Sequence, residues 1–129
     1  MLKKLFIVST LITTILTVSC SKDDDNNPGP SSTHKVIFKA ETNPGGSIAT
    51  ASYGVDSDAR VADNLTGKTW SSPELTAPAG AYNANIVVNA TGANNATVLK
   101  VQIYVDGDLK KEVSSNPGNV LSVIANYKF

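Results

Sequence analysis

The sequence predicts an all-β fold, a single antiparallel β-sandwich of seven or eight strands. From residue 34 onward apolar and polar side chains alternate with a period of two, as in half-buried strands. Turn-forming residues cut that alternation about every 8–12 residues, the spacing of a sandwich. No segment there carries the apolar period of an amphipathic helix.

In the first strand Val36, Phe38 and Ala40 alternate with Lys35 and Lys39, and Pro44-Gly45-Gly46 ends it. Ile48 to Tyr53 forms the second. Arg60 to Leu65 is a weaker third, closed by Thr66-Gly67-Lys68. The piece around Glu74-Leu75-Thr76 lies between Pro73 and Pro78 and suits a sheet edge, because proline cannot donate to a ladder. Tyr82, Ala84, Ile86, Val88 and Ala90 then share one face, with Asn83, Asn85 and Asn89 on the other. After the Gly92-Ala93-Asn94-Asn95 turn, Leu99, Val101, Ile103 and Val105 face inward, and Lys100, Gln102 and Tyr104 outward. Asp106-Gly107 supplies the positive-φ positions of a tight hairpin whose return strand is Leu109 to Ser114. Asn116-Pro117-Gly118-Asn119 turns into a last strand with Leu121, Val123, Ala125, Tyr127 and Phe129 on a common face.

The chain has 129 residues, formal net charge zero, and one each of cysteine, histidine and tryptophan. That length suits one domain. A single cysteine excludes an intramolecular disulfide framework and any Cys-rich structural zinc site. Balanced charge leaves no basic surplus for phosphates, so nucleic acid is not an expected partner.

Residues 1–19 read as a signal peptide. Lys3 and Lys4 form a basic start, and Leu5 to Val18 is apolar and Thr-rich. As a helix that stretch spans only about 21 Å, short of the ~30 Å hydrocarbon core of a membrane. Residues 21–33 hold no side chain suited to a core and read as a disordered tether of roughly 20 Å reach. The domain is thus expected at 34–129, where eight cations balance eight anions.

Three resemblances sharpen this reading. Leu16-Thr17-Val18-Ser19-Cys20 resembles a bacterial lipobox, which implies cleavage before Cys20 and acylation of its thiol. A plain secretory signal with a chance cysteine is the alternative. Ser21-Lys22-Asp23-Asp24-Asp25 resembles the Bacteroidetes lipoprotein export signal, which implies placement on the exterior of the outer membrane. A solvated acidic spacer is the alternative account of the same run, and the two are compatible. Val101 to Leu109, with Ser114-Ser115 and Gly118 behind it, is similar to the C-terminal half of small MmpS-type membrane proteins. That likeness implies an immunoglobulin-like sandwich and an accessory role beside lipid transporters.

Catalytic chemistry is sparse. His34 is the only imidazole and lies where tether meets domain, so a solvated boundary residue is expected and Ser-His-Asp catalysis disfavoured. The carboxylates Asp56, Asp58 and Asp63, and Asp106 with Asp108, could act in pairs on glycosides, yet aspartate also forms turns. Arg60 interrupts the first set as a calcium loop. No catalytic residue, metal site or cofactor is expected.

Binding is better served. Asn83, Asn85 and Asn89, with Thr91, line one outer strand face, and their amides can pair with sugar hydroxyls. Trp70, within Lys68-Thr69-Trp70-Ser71-Ser72, is either an exposed platform in a polar loop or a plug at one end of the sandwich. The sequence therefore points to a lipid-anchored, surface-exposed, non-enzymatic module with an envelope protein as partner. The alternative is a carbohydrate-binding module of a glycan-uptake system.

Overall fold

The computed structural model describes residues 32–129. The expected signal peptide, Cys20, the Ser21–Asp25 run and nearly all of the expected tether lie outside those residues.

The described chain is an antiparallel β-sandwich. Its strands are β1 (His34–Thr42), β2 (Ser47–Val55), β3 (Asp58–Ala62), β4 (Thr69–Ser71), β5 (Leu75–Ala77), β6 (Asn83–Thr91), β7 (Leu99–Val105), β8 (Asp108–Ser114) and β9 (Val120–Lys128). Nine strands among the described residues exceed the seven or eight expected from sequence. The extra one is β4, whose polar sequence reads as a loop but whose backbone pairs with β1.

One sheet runs β4-β1-β7-β8, with β5 also on β1; the other runs β3-β2-β6-β9. Since β7 occupies one side of β1, the short β4 and β5 share the other side end to end. Ser72 joins them into one edge: its N–H donates to the Phe38 carbonyl at 2.8 Å, and its hydroxyl accepts from Phe38 N–H at 2.9 Å. The proline-bracketed piece is thus an edge strand, as its composition predicts.

Alternation places the core. Val36, Phe38, Ile48, Ile86, Val88, Leu99, Val101 and Ile103 are fully buried between the sheets. Each such side chain stabilises the fold by roughly 1.5–3 kcal/mol relative to exposure. Ile48 and the pair Ala51–Tyr53 both point inward although their spacing is odd. A β-bulge between Ile48 and Thr50 supplies the missing half-period.

Two turns need their residues for different reasons. The β7–β8 turn holds Asp106 at φ 53° and Gly107 at φ 86°, the left-handed pair expected of Asp-Gly. The β2–β3 turn is also two residues, Asp56 (φ 53°) and Ser57. It brings β3 so close that a Cβ on Gly54 would collide with the Asp58 carbonyl oxygen.

Two expectations are corrected. Tyr82 is not in the core but 62% exposed, because β6 starts one residue later and Lys128 Nζ lies 5.3 Å from its ring centroid. His34 is no solvated boundary residue. It opens β1, stacks on Phe129 at 5.3 Å with rings 11° apart, and donates from Nδ1 to Asp106 Oδ2 at 2.6 Å. The two ends of the domain therefore meet.

Candidate functional site

The two outer faces of the sandwich differ in charge. On the five-stranded sheet Lys35, Lys39 and Glu41 of β1 face outward beside Lys100 and Gln102 of β7. Lys100 pairs with Glu41 at 2.9 Å, which holds its ammonium above the usual lysine range. Gln102 donates to Glu112 at 2.7 Å, and Lys39 lies 5.0 Å from the Tyr104 ring centroid.

The four-stranded sheet presents a face of another kind. Residues directly opposed across a ladder share a face, so its outer rows follow from the register. One row is Val61–Ser52–Val87–Ile124; the next is Ala59–Gly54–Asn85–Asn126. Thr50–Asn89–Ser122 and Thr91–Val120 lie on the other side. Lys128, opposite Asn83 at one corner, is the only charged side chain on this face among the described residues. Val61 is 69% exposed and Ile124 70%.

The three asparagines named from sequence stand on this face, but their amides already have partners. Asn85 Nδ2 donates to Asn83 Oδ1 at 2.9 Å, and Asn126 Nδ2 donates to Asn85 Oδ1. Asn89 Nδ2 donates to Thr50 Oγ1 at 3.0 Å. These bonds run along and across strands and hold the amides in fixed orientations, leaving each with spare donors or acceptors. Sequence reasoning missed Val61, Ser122, Ile124 and Asn126. The signal was present for the β9 residues, since the inward set Leu121, Val123 and Ala125 leaves the even positions outward.

Trp70 is placed elsewhere. It lies in β4 opposite Ala40, half-buried at the edge of the sandwich, not in a loop. Its ring packs against Tyr53 at 5.2 Å, and Tyr53 packs against Phe38 at 5.5 Å. This aromatic chain crosses from one sheet to the other and back, so Trp70 plugs the sandwich. Beside it a shallow hollow of about 300 Å³ is lined by Lys39, Glu41, Thr69, Ser71 and Gln102.

No family model matches this chain, and no curated protein matches it.

The aspartates do not converge. Asp56 Oδ1 accepts from the N–H groups of Tyr82 (3.0 Å) and Asn83 (2.9 Å), tying the β2–β3 turn to the start of β6. Asp58 faces Arg60 at 3.7 Å, and Asp63 accepts from Asn64. Among the described residues no group of three His, Cys, Asp or Glu side chains is placed to hold a metal ion. Asp106 is held by His34 and, through Oδ1, by the Lys35 N–H at 2.9 Å. The His34 hydrogen bond, then the backbone one, lowers the Asp106 pKa below its ordinary 3.8. Both contacts lock a turn to a strand, which is a structural use of a His-Asp pair.

Proposed function

We propose that the chain is a non-enzymatic binding module, anchored through lipid on Cys20 to the exterior of the outer membrane. It serves a cell-envelope assembly by presenting the outer face of its four-stranded sheet to a protein partner. The observation that carries this reading is a face whose one charge among the described residues is Lys128 at its corner, with exposed Val61 and Ile124 flanking half-buried Val87 among oriented amides. Interfaces of that kind combine apolar contact with satisfied polar groups at low charge. The lipobox-like Leu16–Cys20 and the acidic Ser21–Asp25 run support the anchor and its outward placement. The likeness of Val101–Leu109 to MmpS-type proteins supports an immunoglobulin-like arrangement and a role beside a transporter.

A photo-activated cross-linker placed at Ser52 in living cells should give one discrete adduct, and one at Lys39 on the opposite face none. Adducts at Lys39 alone, or at neither position, would sink the assignment of the face. Cys20→Ala should abolish fatty-acid labelling, and protease added to intact cells should remove the wild-type domain.

The hollow beside Trp70 favours a second reading, a glycan site, because Lys39, Glu41 and Gln102 line it with hydrogen-bonding groups. Gln102→Ala should then lose binding on a glycan array without a change in melting temperature. An array with no hits for the wild type removes this reading.

A further inference from the structure

The sandwich has four sheet edges, and three of them are blunted. The β4–β5 edge consists of three-residue strands flanked by Pro73 and Pro78. β3 has five residues and carries Asp58 and Arg60. β8 carries Asp108, Lys110, Lys111 and Glu112, and its pairing with β7 is broken by a register shift. Short strands, charges, prolines and bulges are the devices that keep edges from pairing with other chains.

β9 has none of them. It is nine residues long, pairs with β6 in one unbroken register, and has no charge or proline before Lys128. Its hydrogen-bonding phase follows from the ends of that ladder. Phe129 N–H donates to the Tyr82 carbonyl at 3.0 Å, and Gly92 N–H to the Asn119 carbonyl at 2.7 Å. Odd-numbered residues of β9 therefore bond to β6. Val120, Ser122, Ile124, Asn126 and Lys128 turn their N–H and C=O groups to the open edge.

We propose that this edge pairs antiparallel with β9 of a second copy of the chain, about a two-fold axis at Ile124. The strand is self-complementary in that register. Ile124 meets its own copy, Ser122 meets Asn126, and Val120 meets the aliphatic stem of Lys128, so no two like charges face each other. The aliphatic row Val61–Val87–Ile124 then continues into its copy, and the two sheets join into one of eight strands. Residues 21–33 are a poorer match for that edge by sequence, with Pro28 and Pro30 and no apolar side chain suited to pairing.

Cysteine pairs in the full chain, expressed in cells, test this directly. Residues opposed in a hydrogen-bonded pair have Cα atoms about 5.5 Å apart, within disulfide reach. Upon mild oxidation Ile124→Cys should yield covalent dimer at least ten-fold above Ser122→Cys, Val61→Cys and the wild type with its Cys20. Chains bearing Ser122→Cys should couple to chains bearing Asn126→Cys when the two are co-expressed, which keeps the test open should Ile124→Cys fail to fold. Absence of both cross-links in folded protein would overturn the proposal. So would equal cross-linking through Val61→Cys, or capture of a different protein at residue 124 without dimer.

Discussion

Asp106 connects three parts of the chain: its own hairpin turn, the first strand through Lys35 N–H, and the C-terminal ring through His34. Its carboxylate is depressed by those hydrogen bonds, so its contribution is fully present above pH 3.8 and lost as pH falls through the folded value. Asp106→Asn should melt below the wild type at about pH 6, and the gap should close as pH falls toward about 2. A gap of constant size across a calorimetric pH series would contradict this. Gly54 and Gly107 separate two reasons for glycine. Gly54→Ala forces a Cβ into the Asp58 carbonyl and should cost about 1–3 kcal/mol, read as a fall in melting temperature. Gly107→Ala meets open space and should cost only its left-handed φ, about 1–2 kcal/mol. The Asp-Gly turn was legible because its signal is local. His34 was not, since its partner Asp106 is 72 residues away and its ring partner Phe129 is the last residue described. Pair chemistry between distant residues leaves no mark on either neighbourhood.

Among the elements, the long strands and the proline-bracketed β5 were legible, whereas the start of β3 and the whole of β4 were not. β6, β7 and β9 alternate without interruption, so their inward residues follow from spacing alone. The start of β3 at Asp58 was hidden because Asp56-Ser57 lacks a glycine to mark the turn, and β4 was hidden because its only apolar side chain is Trp70. Tertiary pairing with β1 makes β4 a strand. The amide-rich face was half legible: the asparagines of β6 stood out, but their union with β9 and β3 needs the sheet order. β9 also closes the fold. Tyr127 pairs with Ala84, packs edge-on against Phe129 at 5.6 Å, and Phe129 stacks on His34. A chain ending at Asn126 loses all three contacts and should unfold about 3 kcal/mol more easily, as a denaturant titration would show. An unchanged midpoint would mean that the last strand carries little of the stability.

For the molecule as a whole, the meeting of His34 with Phe129 implies that chain order at this point is dispensable. A circular permutant that links Phe129 to His34 through a short glycine linker and opens between Ser115 and Asn119 should keep cooperative unfolding. Loss of the cooperative transition would show that the ends must be free. The fold also segregates its chemistry, with charge on one broad face and amides and aliphatic groups on the other. In the anchoring proposed above, the attached chain would lead into the domain at His34, one end of β1, while the proposed partner surface lies on the opposite sheet. Under that proposal, tension between cell and partner would be applied along the axis of β1. That strand is held by seven paired residues on β7 and by β4 and β5 on its other side, with hydrogen bonds lying across the direction of pull. These bonds share the load and must fail together, whereas a strand peeled from its end would lose them singly. Anchored as proposed, the module would carry such a load through β1 in shear.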